Sequence, residues 1–385
     1  MSDILDYLDW RGDIPFAVSP FNPVDGLILS QFCYIPLTGA VPDFGETVTL
    51  EEAFSRYDPD KVDDKAKIMT FRQDNELFEK MARSDRFRDM RLTGYTDIIS
   101  SAEELQFSAV TFLPDDDYAF VSFSGTDGTV AGWKEDFSLS YMEKTAGQSL
   151  SVEYLRDHFS GNDRRIFIGG HSKGGNLAVY AAAFCGSSIS SRIERIYSYD
   201  APGFRDEIIA SEEYQSILPR ILSFVPESSV VGMLLNSDTE RSIVKSSVSG
   251  IMQHMSYNWE VKRDSFDMTD EFTRSGTVVN KAITSWIDEL SDDDRRTFTE
   301  AVFGVLEAPE KDTLKEILKG KWAAYSSMFR ALHNMPPEQQ TVLKEAVRKL
   351  AKSGKDAILP DKMPQIPDKI NPAKLLPIKR FNKKS

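Results

Sequence analysis

At 385 residues, 41% hydrophobic and 28% charged, the chain has a globular composition with room for one large core or two smaller ones. Its 60 acidic against 46 basic residues leave a net charge of −14, which excludes a general nucleic-acid binder. Only Cys33 and Cys185 are present, both among apolar neighbours, so reduced thiols and a cytoplasmic location are expected; the acidic stretch Met1–Asp13 lacks the pattern of a secretory leader, and no apolar run is long enough to span a bilayer.

Residues 1–90 read as mainly helical. Val24 to Ile35 is largely apolar, Glu51 to Tyr57 makes a short helix, and Lys65 to Arg83 sets Ile68, Phe71, Leu77, Phe78 and Met81 at helical spacing. Such a segment is too apolar to stand in solvent and is expected to pack on the part that follows. Strand signals then take over at Arg91–Ser100, Leu105–Leu113 and Tyr118–Phe123. Between the last two, Pro114-Asp-Asp-Asp117 reads as an exposed turn and not a cation site, because no further oxygen ligands follow at regular spacing.

After Phe123 a polar, glycine-containing loop, Ser124-Gly-Thr-Asp-Gly-Thr129, runs into Trp133-Lys-Glu-Asp136. A strand that ends in such a loop before a helix is where an α/β-hydrolase places its first oxyanion donor. A helix over Leu150–Phe159 follows. Ile166, Phe167 and Ile168 then suit a buried parallel strand, and Leu177, Ala178, Tyr180 and Ala181 a closely packed helix. Between them stands Gly170-His-Ser-Lys-Gly174, the G-x-S-x-G pattern of a nucleophile elbow. Its glycines allow a turn so tight that the Ser172 hydroxyl projects at a helix N-terminus, where dipole and free amides favour negative charge. Strands at Ile193–Tyr199 and Ile221–Val225 complete the alternation, which implies a mostly parallel sheet covered by helices on both faces. Residues 204–219, between those strands, read as a lid or a plain surface excursion.

From about residue 260 the pattern is helical. Ser291-Asp-Asp-Asp294 suits a capping box for Arg295–Glu307. Leu314, Ile317, Leu318, Trp322, Tyr325, Phe329 and Leu332 form an apolar stripe, and Pro337 opens a helix that ends near Gly354. The tail is rich in Pro and Lys, with nine Lys or Arg against three Asp from Lys352 to Ser385; disorder is expected, with peripheral contact to an anionic membrane as the alternative. The organisation expected is thus a helical N-terminal part of the hydrolase domain (1–90), an α/β-hydrolase core (91–260), a C-terminal helical region (261–354) and a basic tail (355–385).

A serine hydroxyl needs a base, and the chain has only four histidines. In α/β-hydrolases the order is serine, acid, histidine. His158 lies upstream of Ser172. His171 abuts it within the turn, and its ring is expected to point away. His333 sits on the distal helical stripe. His254, in Ile251-Met-Gln-His-Met-Ser-Tyr257, remains as the base. Two carboxylates are candidates for its partner: Asp200, at the end of the strand after the elbow helix, and Glu227, after the next strand. Asp200 is favoured because it is short and held by the Ala-Pro-Gly turn beside it.

Phe123-Ser-Gly-Thr126, Trp133-Lys-Glu-Asp136 and Gly170-His-Ser-Lys-Gly-Gly175 resemble the F-R-G-[ST], W-x-x-D and G-H-S-L-G-G motifs of class III lipases. The chain is still more similar to the Mbeg-like family of bacterial α/β-hydrolases, through Trp10-Arg-Gly-Asp13, Phe21-Asn-Pro-Val-Asp-Gly-Leu-Ile-Leu-Ser30, Tyr199-Asp-Ala-Pro-Gly203, Ser229-Val-Val-Gly-Met-Leu-Leu235 and Gln253-His254, over about residues 1–300. The resemblance implies that Thr126 and Lys173 supply the oxyanion amides, with Trp133 and Asp136 supporting the loop. Two departures stand out. Lys173 replaces a leucine, which bears on substrate preference or on helix packing, and the lipase acid aligns with Ser228 or Ser229.

The function expected is that of a serine hydrolase of the lipase/esterase type acting on a small-molecule or lipid ester, with Ser172, Asp200 and His254 as catalytic residues. The chemistry needs no metal or organic cofactor. The alternative is a silent hydrolase fold that binds a protein or membrane.

Overall fold

The computed structural model describes residues 2–63, 67–100, 105–127, 129–309 and 321–353. The expected disordered tail and residues 314, 317 and 318 of the apolar stripe lie outside them. The strands in chain order are β1 (Val48–Thr49), β2 (Arg91–Ser100), β3 (Leu105–Leu113), β4 (Tyr118–Phe123), β5 (Arg165–His171), β6 (Ile193–Tyr199), β7 (Ile221–Pro226) and β8 (Arg241–Val244). A small hairpin, β9 (Val261–Lys262) with β10 (Ser265–Phe266), precedes β11 (Met268–Thr269).

Among the described residues, one sheet takes nine of these strands in the order β1-β2-β3-β4-β5-β6-β7-β8-β11. Its centre, β4 to β8, is parallel throughout, whereas β1, β2 and β3 at one edge and β11 at the other pair antiparallel. The sheet is therefore mixed around a parallel block, with helices covering it: the α/β-hydrolase class expected from the alternation of elements. The four-residue β8 and two-residue β11 had no sequence signature, because strands that short show no alternation. Three two-residue strands between Val261 and Thr269 escape notice for the same reason, and the C-terminal helices begin only at Arg274, not at about residue 260.

Period-two alternation divides the core between the two faces. On one, Phe120, Tyr197 and Tyr199 pack with Phe32, Phe78, Trp259 and the N-terminal helices, with Phe167 against them. On the other, Ile166, Ile168 and Val121 meet Leu177, Ala178 and Leu155. The N-terminal segment is thus integral to the first core. Its helix Pro23–Phe32 is started by Asn22, which forms a capping box with Asp25. Asp25 itself is fully buried and receives two bonds from Arg86, Nε to Oδ1 at 2.7 Å and Nη2 to Oδ2 at 2.6 Å. Helix Phe71–Arg83 begins six residues later than the Lys65 expected.

The C-terminal helix Asp292–Glu307 packs over the helix Val130–Ser138 through Val130, Phe303 and Phe137, and helix Arg274–Asp288 meets it through Trp286 on Phe298. The Ser291–Asp294 capping box is present. Arg295 donates to the Ser140 carbonyl at 2.8 Å and to the Ile287 carbonyl at 2.8 Å, tying both helices to the core. The acidic run at Asp115 is a turn in which Asp115 Oδ1 accepts from the amides of Asp117 and Tyr118.

Candidate active site

Register brings the site together. Phe123 pairs with Gly170, His171 with Tyr199, and Tyr199 with Phe224, so the carboxyl ends of β4, β5 and β6 lie side by side. The next residues of each strand, the Gly125–Thr126 loop, Ser172 and Asp200, are therefore neighbours although 46 and 74 positions separate Thr126 from the other two. Ligands of open α/β sheets bind at this edge.

Ser172 lies between β5 and the helix Lys173–Phe184 with φ at +58°, and Asp200 follows β6 with φ at +47°. A non-glycine residue at positive φ is costly, of order 1–3 kcal/mol, and such positions gather at functional sites. The elbow closes only because its flanking residues lack side chains. A Cβ at Gly170 would lie 2.2 Å from the Gly174 carbonyl carbon, and one at Gly174 would lie 2.1 Å from the Phe123 oxygen.

The structure brings together the three residues named as catalytic. His254 Nε2 is 3.0 Å from Ser172 Oγ, and its Nδ1 is 2.6 Å from Asp200 Oδ2. A carboxylate only accepts, so Nδ1 carries the proton and Nε2 turns a lone pair toward the serine hydroxyl. Asp200 is fully buried, and its Oδ1 accepts from Ser229 Oγ and from the Gly232 amide at 3.0 Å. Ser229, one of the two positions that align with the lipase acid, thus donates to a carboxylate that stands elsewhere in the chain. Glu227, the other candidate acid, makes no hydrogen bond to His254, whose Nδ1 is taken. Beside His254, Gln253 Oε1 accepts from the Ser228 amide at 2.7 Å, and Trp259 Nε1 donates to the Gln253 carbonyl at 2.9 Å.

Of the two residues expected to supply oxyanion amides, Lys173 opens the elbow helix, where its N–H has no partner within the helix. Its side chain leaves the site: buried, it donates to Gln106 O (2.7 Å), Gln106 Oε1 (2.8 Å) and Glu135 Oε2 (2.8 Å). The lysine that replaces the lipase leucine therefore acts in packing and places no charge in the cavity. Thr126 Oγ1 donates to Asp136 Oδ2 at 2.5 Å. Burial raises the Asp136 carboxyl to about 6, against the opposing pull of Lys173.

His171 departs from expectation. Its ring does not point away; it lies 4.6 Å from the His254 ring, between centroids, with Nε2 2.7 Å from the His254 carbonyl and Nδ1 2.9 Å from the Tyr34 hydroxyl. As the last residue of β5 it shares the face of Phe167, and on that face the N-terminal segment supplies Tyr34 as a partner. Burial, then the nearby His254, lowers its pKa to about 3. Only the glycine-bracketed motif marked this position in the sequence; nothing there paired it with Tyr34.

Ser172 opens into a cavity of about 1180 Å³. Its walls are chiefly apolar, with Trp133, Val231, Leu234, Ile251, Ile283, Trp286 and Phe298 among them. Ile283, Trp286 and Phe298 come from the C-terminal helices, so these roof the site. Segment 204–219 is not part of the wall. It forms two short helices, Asp206–Ile209 and Glu212–Ile217, anchored by buried Tyr214 and Ile217. Among the described residues no helix is long and apolar enough to cross a membrane.

Among solved structures the chain is similar to M37 lipase, at 12% identity over 57% of this chain and 71% of that one, with a TM-score of 0.38. No curated protein matches. A sequence model of the Mbeg1-like family matches residues 81–304. The stretches Trp10–Asp13 and Phe21–Ser30 lie before that match. It spans more than half of the chain and includes the Thr126 loop, the elbow, Asp200 and His254: the chain belongs to the Mbeg1-like family.

Proposed function

We propose that the protein is a serine hydrolase of the lipase/esterase type that cleaves a carboxylic ester through an acyl-serine intermediate. The observation that carries this reading is the continuous hydrogen-bonded series from Ser172 Oγ through both nitrogens of His254 to Asp200. As the Ser172 oxygen attacks the ester carbonyl, its proton passes to His254 Nε2, and Asp200 offsets the imidazolium charge. The same proton goes to the departing alcohol oxygen. Water, deprotonated by His254, then attacks the acyl-serine, and the proton returns to Ser172 as the acid leaves. The amides of Lys173 and Thr126 are proposed to hold the oxyanion in both steps.

The apolar cavity supports a substrate with a long acyl chain, a lipid ester in preference to a small polar one. A cytoplasmic location is proposed on the two buried free thiols. Contact of the basic tail with an anionic membrane is proposed from sequence alone.

A fluorophosphonate probe is expected to label the protein once, at Ser172, and Ser172→Ala to abolish labelling; labelling that survives the change refutes the assignment. No labelling of the wild type, together with partner capture that depends on residues after 310, would favour a catalytically silent binding protein.

A further inference from the structure

We infer that Tyr34 and His171 form a positioning strut that holds the His254 segment and the oxyanion loop in place against the nucleophile elbow. The inference rests on the serine-hydrolase reading for its consequence in rate, and on geometry for the strut itself.

The Tyr34 hydroxyl stands where three parts of the site meet. It lies 2.9 Å from His171 Nδ1 and 3.3 Å from the His171 carbonyl, within the elbow. The backbone of Gly125, in the oxyanion loop, packs directly against it. The fit there is close: a Cβ at Gly125 would lie 2.0 Å from the Tyr34 oxygen, 2.6 Å from the His171 carbonyl oxygen and 3.0 Å from Ser172 Cβ. Through His171 the contact reaches the base, since His171 Nε2 is 2.7 Å from the backbone carbonyl of His254.

The shorter contacts select one arrangement along this line, with the His171 carbonyl, 3.3 Å from the hydroxyl, as the longer alternative acceptor. The His254 carbonyl can only accept, so His171 Nε2 carries the proton. Its Nδ1 is then a bare lone pair and accepts the Tyr34 hydroxyl proton. With that proton committed, the hydroxyl is held in place against the Gly125 backbone. Each member dictates the next, and the phenol selects the tautomer that anchors the base. Neither side chain touches the reacting atoms. Both are positioning residues, and the anchor starts in the N-terminal helical segment, before the part of the chain that the family match covers.

Tyr34→Phe keeps the ring and deletes the hydroxyl. His171 loses its reason to hold the proton on Nε2, so the link to the His254 carbonyl weakens and the Gly125 backbone loses the oxygen packed against it. The expected result is a fall in kcat and in the fluorophosphonate labelling rate of about 10- to 100-fold, the scale of a small displacement of reacting groups, with KM for a short p-nitrophenyl ester within about twofold. His171→Phe should lose at least as much. His171→Gln should recover part of that loss, because its amide retains a donor for the carbonyl.

The tautomer is read directly by ¹⁵N spectra of the full chain labelled at histidine, which has only four such residues to assign. Wild type should show His171 protonated on Nε2 alone, and Tyr34→Phe a mixed or reversed tautomer. Thermal melting of each variant checks that it is folded. A wild-type His171 protonated on Nδ1 overturns the strut, as does a folded Tyr34→Phe protein that labels at the wild-type rate. If wild type itself is not labelled, the hydrolase reading fails, and the ¹⁵N spectra alone then uphold or overturn the strut.

Discussion

Asp200→Asn tests the acid assignment with nearly no change in shape. Asparagine tolerates the positive φ at this position, so the loop should keep its form. The surroundings decide which way the new amide turns. Oδ1 accepts from Ser229 Oγ and the Gly232 amide, and those donors select the amide oxygen. The NH₂ group must then face His254 Nδ1, 2.6 Å away in the wild type. Nδ1 becomes an acceptor, the ring proton moves to Nε2, and the lone pair that should take the serine proton is lost. Turning the amide over restores the tautomer but sets NH₂ against the Gly232 N–H, at a cost of about 1–3 kcal/mol for a buried donor without an acceptor. That leaves roughly 1–10% of molecules competent, and these lack the carboxylate charge, a charged hydrogen bond worth about 1.5–3 kcal/mol. The two factors together predict a fall in kcat between about 10²- and 10⁴-fold, whose upper end is the loss known when a triad aspartate becomes asparagine. The assay is steady-state hydrolysis of a short p-nitrophenyl ester with fluorophosphonate labelling in parallel. Glu227→Gln serves as the control and should stay within about twofold of wild type. Retention of more than a tenth of the wild-type kcat by Asp200→Asn, or an equal loss on Glu227→Gln, would refute the reasoning.

Two further outcomes are expected. Ile283→Trp places a bulkier group in the cavity roof; if it excludes four methylenes at about 0.8 kcal/mol each, kcat/KM for long-chain esters should fall roughly 200-fold while acetate is spared. An acyl-chain series of p-nitrophenyl esters reads this, and a uniform loss across the series would show that the roof does not measure chain length. Asp74, which accepts from Gln31 Nε2, Thr70 Oγ1 and Tyr257 OH, is raised by burial to about 6 from 3.8. The folded state then binds the proton more tightly than the unfolded one, so this group's contribution is greatest below about pH 4 and is lost as pH rises through about 6. Chemical denaturation across that window should show a slope that Asp74→Asn flattens, by about 3 kcal/mol at most; an unchanged slope would mean that Asp74 is ionised throughout.

The local features of the site were legible because they arise from neighbours in the chain. Gly170 and Gly174 announced the elbow, since no other residue fits against the Gly174 backbone and the Phe123 carbonyl. Four histidines made elimination workable and led to His254. Asp200 could be favoured over Glu227 from its turn, but the choice between them needed the third dimension: only strand register sets Asp200 beside Ser172, and only the fold sends Ser229 and the Gly232 amide to its second oxygen. The same holds for Lys173, whose charge was visible and whose burial against Glu135 was not. Tyr34 and His171 stand 137 positions apart, and the cavity roof is formed more than 100 positions beyond the elbow. Backbone turns, caps and alternation are written within a few residues of one another, so the sequence by itself determined the hydrolase scaffold, the elbow that carries Ser172 and the proposed order of its partners. The tertiary structure alone decided which carboxylate meets the imidazole of His254, what else that residue touches and how large the apolar cavity beside Ser172 is, because those depend on side chains that become neighbours only when the sheet closes its register and helices settle over it.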